Sequence, residues 1–247
     1  SVQLFNDNVV CVCQDGTYNF IETVLDDIIE MYKEAGAPLT TVHTGGDEVP
    51  HGVWEGSPVC EEFKKNNPEI NNVHDIKGYF LTRFNKILAS RGLATAGWEE
   101  IAMHLEMVDG KEQKTINPEF VDENFLPFVW NSVYGWGGEE LGYKMANTGY
   151  NVVLSNVTNL YFDLARDKDP SEPGFYWGGF LPTEQVFMFE PYNVYSSINI
   201  DLNGNAIDPM VFDTKTQLTA SGKNHIKGIQ GQLWSETVMS AERLDYM

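Results

Sequence analysis

The chain has 247 residues, 42% of them hydrophobic and 13% aromatic, which is enough apolar material to bury a substantial core. Its 36 acidic and 16 basic residues give a formal net charge of −20, which disfavours nucleic acid and anionic lipid surfaces as partners. Every apolar run is shorter than the roughly 20 residues of a membrane-spanning helix, so we expect no membrane insertion.

The cysteine and histidine content argues against a metal site. An odd set of three cysteines, Cys11, Cys13 and Cys60, does not describe a disulfide framework, so we expect free thiols. Zinc sites need cysteine or histidine ligands at recognisable spacing, and the five histidines form no such cluster along the sequence. We therefore expect neither a metal ion nor an organic cofactor.

Short β-branched or aromatic runs alternate with longer amphipathic segments, a pattern typical of βα units with a parallel sheet. Residues 18–35 are predicted to form a helix that stops at Gly36 and Pro38. Its predicted apolar face comprises Phe20, Val24, Ile28, Met31 and Tyr32. A strand is predicted at residues 39–44.

A second helix is predicted at residues 75–91, before Gly92, and a strand at 93–96. The apolar face of this helix comprises Ile76, Phe80, Phe84, Ile87 and Leu88. Further strands are predicted at 125–130, 150–154 and 226–232, with short helices at 139–146 and 213–221. Five strands are too few to close an eight-stranded barrel, and the remaining length lies in loops, the largest at 155–223. We see no linker that would divide the chain, and expect a single domain.

The most informative string is His43-Thr-Gly-Gly-Asp-Glu-Val49, at the end of the first predicted strand. In a βα barrel this end of a strand faces the active site. Two glycines allow a ligand or a backbone to approach closely, and the carboxylates of Asp47 and Glu48 would project in different directions. A lone string of this kind is more often a surface turn, so its position at a strand end is needed to identify it as part of an active site.

The other predicted strands also end in an aromatic residue, a carboxylate or both. These residues are Trp98 after the second strand, Trp130 at the end of the third, Tyr161 and Asp163 after the fourth, and Trp234 and Glu236 after the fifth, with Trp177 in the long loop. Aromatic faces stack on sugar rings and carboxylates accept hydrogen bonds from sugar hydroxyls. The set therefore indicates a carbohydrate pocket, although a single tryptophan is more often part of a core.

The string at residues 43–49 resembles the signature of the family 20 glycoside hydrolases, the β-N-acetylhexosaminidases. Four further strings recur in the same order with similar spacing, namely Gly97-Trp-Glu-Glu, Leu160-Tyr-Phe-Asp, Tyr176-Trp-Gly and Leu233-Trp-Ser-Glu. The resemblance spans residue 10 to the end and implies an α/β fold of the (β/α)8 TIM-barrel type. It also implies hydrolysis of terminal non-reducing N-acetyl-β-D-hexosamine residues of oligosaccharides or glycoconjugates. It leaves open the compartment, which could be periplasmic, secreted or lysosomal.

In this family the substrate's own 2-acetamido oxygen attacks the anomeric carbon, and no protein nucleophile is used. The resemblance implies that Glu48 is the general acid and later the base. It also implies that Asp47 accepts a hydrogen bond from the acetamido N–H and that the Tyr161 hydroxyl donates one to the acetamido oxygen. The implied sugar-binding residues are Trp98, Trp130, Trp177 and Trp234, with Asp163 and Glu236 on the 4- and 6-hydroxyls.

Some residues near these motifs have two open interpretations, and others have no expected role. His43 can be a buried structural histidine or a catalytic one, and Trp54 can contact the aglycone or merely pack. Glu99 and Glu100 are interpreted as loop carboxylates without a role. A glycosidase with Asp47 or Glu48 as a true nucleophile is disfavoured, because that mechanism needs carboxyl groups on opposite faces of the sugar. A non-catalytic N-acetylhexosamine-binding relative of the family is the alternative of a different class.

The chain also departs from the family pattern. The family's arginine for the 3- and 4-hydroxyls and its histidine behind the general acid have no counterpart before residue 43. We therefore expect a truncated barrel that contains about strands 4 to 8, without the first three strands and the last helix. Open sheet edges and uncovered apolar surface would make this fragment self-associate or require the missing half.

Overall fold

A computed structural model describes residues 9–50, 52–70, 72–108 and 111–247. The chain divides into two compact units, one up to Phe125 and one from Leu126. Within the described residues, every helix is too short or too polar to span a bilayer.

The first unit contains two parallel strands and three helices in its described residues. The elements are α1 (Asp15–Glu34), β1 (Thr41–His43), α2 (Pro58–Asn66), α3 (Val73–Ala89), β2 (Ala94–Trp98), and the antiparallel hairpin of β3 (Met103–Val108) and β4 (Lys111–Ile116). β1 pairs in parallel with β2, with Thr41 opposite Ala94 and His43 opposite Ala96. The predictions of α1, α3, β1 and β2 are confirmed.

The buried face of α3 agrees with the prediction, but that of α1 does not. Ile76, Phe84 and Leu88 of α3 are buried. In α1 the predicted core residue Phe20 is 69% exposed, whereas Tyr18 and Leu25 are buried. The helix begins earlier than predicted, at Asp15, and Tyr18, the first residue of the predicted helix, heads a stripe that packs on α3. The Tyr18 hydroxyl also donates a hydrogen bond to the Val12 carbonyl at 2.8 Å, which fixes this rotation of the helix.

The expectation of free thiols was wrong for two of the three cysteines. Cys13 and Cys60 form a disulfide, and Cys11 is the free thiol, with its Sγ 3.9 Å from that of Cys60. Cys60 lies in the first turn of α2, which packs with Val12 and Trp54 in one apolar cluster. An odd cysteine count cannot show that this packing brings one pair together.

The second unit contains a three-stranded parallel sheet. Its elements are β5 (Phe125–Val129), which begins at the boundary, α4 (Leu141–Thr148), β6 (Val152–Leu154), α5 (Val157–Leu160), α6 (Thr183–Phe187), β7 (Ile226–Ile229) and α7 (Ala241–Tyr246). β6 lies between β5 and β7, with Phe128 opposite Val153 and Leu154 opposite Ile229. All three strand predictions are confirmed, as is the helix near 139–146.

The predicted helix at residues 213–221 is absent from the structure, which has only short 3₁₀ turns on either side, Pro209–Phe212 and Gly222–His225. Side chains of the α4 region bind the backbone of this segment instead. The Asn147 amide donates to the Gln217 carbonyl and accepts from the Thr219 N–H, both at 2.9 Å. Glu140 accepts from the Thr216 N–H at 2.8 Å. Because these groups have partners elsewhere, the segment stays extended despite its helical pattern.

In both units the main strands run parallel and helices lie between consecutive strands in the chain. This is an α/β arrangement consistent with the predicted TIM-barrel type. One apolar cluster of the second unit is formed by the segments that follow β5 and β6, and its buried members are Val133, Val157, Tyr161, Leu164 and Leu181.

Candidate active site

The loop after β1 is clamped against β2. The Thr44 backbone N–H and hydroxyl both donate to the Ala96 carbonyl, at 2.8 and 2.9 Å. The Trp98 N–H donates to the Gly45 carbonyl at 2.9 Å. A Cβ on Gly97 would lie 2.7 Å from that carbonyl, so this approach of two backbones requires glycine at residue 97. The sequence string is therefore part of a fixed loop at the carboxyl end of the strand.

Both carboxylates of the string are exposed at the surface of the first unit. Gly46, before them, has φ +95°, and a Cβ there would lie 2.7 Å from the Ile101 side chain. Glu48 itself has φ +47°, one of two non-glycine residues in the left-handed region among those described. Such a conformation costs roughly 1–3 kcal/mol for a residue with a side chain. The fold thus tolerates backbone strain at the residue predicted to be the general acid.

His43 and Trp98 form an aromatic pair below this loop. Their ring centroids lie 5.0 Å apart in an edge-to-face arrangement, and Trp98 is buried. His43 Nδ1 accepts a hydrogen bond from the Gly45 N–H at 3.2 Å. Burial lowers the pKa of His43, and the nearby Asp47 carboxylate opposes that shift. His43 is exposed rather than fully buried, and its ring nitrogen binds the loop backbone, so both interpretations of His43 stay open.

Glu99 and Glu100 are not exposed loop carboxylates, since they lie in the 3₁₀ turn Glu99–Ala102 and are 3% and 8% exposed. Burial raises the pKa of Glu100, although the positive charges of Lys114 and Lys77 oppose the shift. Lys77 of α3 is half-buried, and its ammonium donates to the Gly46 carbonyl at 3.2 Å. Burial lowers the pKa of Lys77, against the attraction of Glu100. Neither the burial of Glu100 nor the contact of Lys77 with the loop was predicted from the sequence.

A cavity of about 160 Å³ opens beside the carboxylate loop within the first unit. Its lining includes Glu48, Trp54, Lys77, Glu100, His104 and Phe120. Trp54 is buried, and its indole N–H donates to the Val10 carbonyl at 3.0 Å. Trp54 is therefore mainly a packing residue that presents one edge to the cavity.

The second unit gathers the aromatic residues that were predicted after its strands. Trp177 is the centre of the group, with ring centroids 6.1 Å from Trp130 and 5.8 Å from Tyr161. Tyr161 also lies 6.4 Å from Trp234. Trp136, which the sequence analysis did not select, stacks on Trp177 at 6.2 Å and is exposed. Trp177 and Trp234 are exposed too, whereas Tyr161 is buried.

Backbone pairing explains why Tyr161 and Trp234 meet. The Phe162 N–H donates to the Gln232 carbonyl, and the Gln232 N–H donates to the Leu160 carbonyl, each at 2.7 Å. These bonds tie the segment after β6 to the segment after β7, so the strings Leu-Tyr-Phe-Asp and Leu-Trp-Ser-Glu lie side by side.

Asp163 is a buried acid at the same end of the second unit. It is 1% exposed, and its Oδ1 has no hydrogen-bond partner among the described residues. Burial raises the pKa of Asp163, a hydrogen bond from the Trp234 backbone opposes this, and the exposed Glu236 carboxylate adds to it. An oxygen left without a partner in this position is available to a ligand hydroxyl.

The predicted residues thus fall into two groups. Asp47, Glu48 and Trp98 lie together in the first unit, and Trp130, Tyr161, Asp163, Trp177, Trp234 and Glu236 follow the strands of the second unit. The first group can exchange a proton, and the second presents aromatic faces and acceptors for hydroxyls.

The model of the glycosyl hydrolase family 20 catalytic domain matches residues 2–247. A β-hexosaminidase of Vibrio vulnificus is 34% identical over 253 residues, which cover 100% of this chain and 28% of that protein. An N,N′-diacetylchitobiase of Vibrio harveyi is 29% identical over 280 residues, covering 100% of this chain and 30% of its own length.

Among solved structures, the family 20 exo-β-N-acetylglucosaminidase of Vibrio harveyi, crystallised with N-acetylglucosamine, has the same fold with a TM-score of 0.70. It is 29% identical, and the match covers 100% of this chain and 31% of that one. The chain therefore spans less than a third of the length of these relatives. It belongs to glycosyl hydrolase family 20 and matches the catalytic domain of that family.

Proposed function

We propose that the protein is a β-N-acetylhexosaminidase that removes terminal non-reducing N-acetyl-β-D-hexosamine residues without a cofactor. The observation that carries the proposal is the pair of adjacent, exposed carboxylates on a fixed loop at the carboxyl end of β1. The printed names of the relatives, β-hexosaminidase and N,N′-diacetylchitobiase, support the same substrate class.

The proposed reaction uses the substrate's own acetamido group. Its carbonyl oxygen forms a bond to the anomeric carbon while the bond from that carbon to the leaving oxygen breaks, and Glu48 gives its proton to the leaving oxygen. The Asp47 carboxylate accepts a hydrogen bond from the acetamido N–H and stabilises the positive charge of the oxazolinium intermediate. Glu48, now a carboxylate, takes a proton from water as the water oxygen bonds to the anomeric carbon and the bond from that carbon to the acetamido oxygen breaks. This step restores the acetamido group, and the two inversions retain the anomeric configuration.

The remaining predicted residues bind the sugar in this proposal. Tyr161 donates its hydroxyl to the acetamido oxygen, and Trp98, Trp130 and Trp234 give apolar walls to the acetamido group and the ring. Trp177 contacts the sugar from the long loop. The 4- and 6-hydroxyls are bound by Asp163 and Glu236, and the buried, unpartnered Asp163 Oδ1 supports this assignment.

The first experiment measures hydrolysis of a chromogenic N-acetyl-β-D-glucosaminide by the protein that carries this sequence. We expect Glu48→Gln to lower turnover by about 100-fold or more even with a good leaving group, since Glu48 is also the base that activates water in the second step. Glu55→Gln is the matched control, because Glu55 is an exposed carboxylate in the same region. Circular dichroism must show that both variants are folded.

A second substrate and a binding measurement separate the mechanism from its alternatives. The corresponding β-D-glucoside lacks the acetamido group and should not be hydrolysed, whereas an enzyme with a protein nucleophile would cleave it and form a sugar adduct on Asp47. A protein that binds N-acetylglucosamine in calorimetry but hydrolyses neither substrate would instead be the non-catalytic relative of the family.

A further inference from the structure

Lys77 contacts the loop of the carboxylate pair from outside that loop. Its ammonium group donates a hydrogen bond of 3.2 Å to the carbonyl of Gly46, the residue directly before Asp47. Lys77 lies near the start of α3, whose face further along packs in the core of the first unit. The lysine therefore connects a fixed helix to the backbone from which Asp47 and Glu48 project.

The backbone at this point needs a restraint. Gly46 has φ +95° and Glu48 has φ +47°, so two of three consecutive residues hold left-handed conformations. A segment with such strain persists only if the surrounding contacts hold it. The bonds from Thr44 and Trp98 fix the loop up to Gly45, and the bond from Lys77 fixes the next carbonyl.

A buried acid, Glu100, lies near the half-buried ammonium group of Lys77. Glu100 is 8% exposed, lines the same cavity as Lys77 and Glu48, and has an Oε2 without a hydrogen-bond partner among the described residues. Burial raises the pKa of Glu100 and lowers that of Lys77, and the charge of each group opposes the shift of the other. Lys114, at the rim of the same cavity, is exposed and makes no described bond to the loop.

We propose that Lys77 is a positioning residue for the carboxylate pair, which holds the Gly46 carbonyl so that Glu48 can reach the leaving oxygen, and that Glu100 keeps the ammonium group in place. The inference rests on the proposed function, because positioning matters only if Glu48 acts as an acid. It assigns a role to a lysine and a buried glutamate that lie beside the carboxylate pair.

The test uses the fact that a good leaving group needs little help from an acid. We expect Lys77→Met to lower kcat/KM by about 100-fold for N,N′-diacetylchitobiose, whose leaving group is a sugar hydroxyl, but only about 10-fold for the 4-nitrophenyl glycoside. Lys77→Arg keeps the charge and the donor and should recover most of the loss. Glu100→Gln should show the same dependence on leaving group with a smaller loss, about 10-fold for chitobiose.

Lys86→Met is the control, because Lys86 is an exposed lysine of the same helix that does not line the cavity, and both substrates are expected within about twofold of the unchanged protein. Equal losses for the two substrates in Lys77→Met, with no recovery in Lys77→Arg, would overturn the inference and leave Lys77 with a purely structural role. If Lys77→Met does not fold, Lys77→Leu, which also removes the donor and the charge, takes its place under the same criterion. Absence of hydrolysis by the unchanged protein would instead refute the proposed function.

Discussion

The disulfide between Cys13 and Cys60 should make a large contribution to the stability of the first unit. The two cysteines are 47 residues apart, and closing a loop of this length removes entropy from the unfolded chain worth about 4 kcal/mol by the chain-entropy relation. We expect Cys13→Ser, made together with Cys11→Ser so that Cys11 cannot pair with Cys60 in its place, to lower the free energy of unfolding by about 3–4 kcal/mol for this reason.

Urea denaturation followed by circular dichroism measures this change, with and without a reducing agent. Cys11→Ser is the matched control, because Cys11 is a neighbouring cysteine outside the disulfide, and its substitution should change stability by less than about 1 kcal/mol. The reducing agent should destabilise the unchanged protein and the control, but not the double variant. A double variant as stable as the unchanged protein under oxidising conditions would refute the reasoning.

Four further predictions concern the loop, the sugar-binding residues and the surface. Gly46→Ala should destabilise the protein by about 1–3 kcal/mol in thermal melts and abolish turnover, since φ is +95° and the new Cβ would meet the Ile101 side chain. Because burial raises the pKa of Asp163, the folded protein loses stability as the pH rises through that pKa. Asp163→Asn should therefore raise stability at pH 7 by about 1 kcal/mol while it weakens substrate binding, which melts and KM together would test. Trp136→Ala removes an exposed ring that stacks on Trp177, so we expect up to about tenfold weaker sugar binding in calorimetry and unchanged stability. Exposed apolar side chains on α1 predict self-association of this chain, and a clean monomer in gel filtration at all concentrations would contradict it.

The sequence predicted the strands and the long helices because their signals are local. Glycine and proline mark the end of α1, and the apolar residues of α3 recur with helical spacing, so both helices are visible without any tertiary information. The end of β1 was visible in the same way, since Gly45 and Gly46 end a run that is rich in β-branched residues. The strings after each strand could therefore be assigned to strand ends.

What the sequence could not predict depends on contacts between distant residues. Phe20 and Tyr18 are both aromatic residues near the start of α1, and only the packing of the helix on α3 decides which one is buried. The helix expected at 213–221 competes with hydrogen bonds from Asn147, about 70 residues earlier in the chain. The pairing of Cys13 with Cys60 is a long-range contact of the same kind.

In the candidate site too, the sequence revealed local motifs but not contacts between distant residues. Asp47 and Glu48 were found because they are adjacent in a recognisable string. Glu100 belongs to a string of its own, Gly97-Trp-Glu-Glu, but its burial follows from a 3₁₀ turn that no local pattern announces. Lys77 carries no motif, and a charged residue on an amphipathic helix is ordinarily assigned to the solvent face.

The left-handed backbone at Glu48 has a consequence for how this position can vary. Glycine adopts such a conformation freely, whereas glutamate loses roughly 1–2 kcal/mol there. A library selected only for folding should therefore accumulate glycine at position 48, and one selected for turnover should return glutamate. Comparing the two libraries would separate, at a single residue, the demands of the fold from the demands of the chemistry.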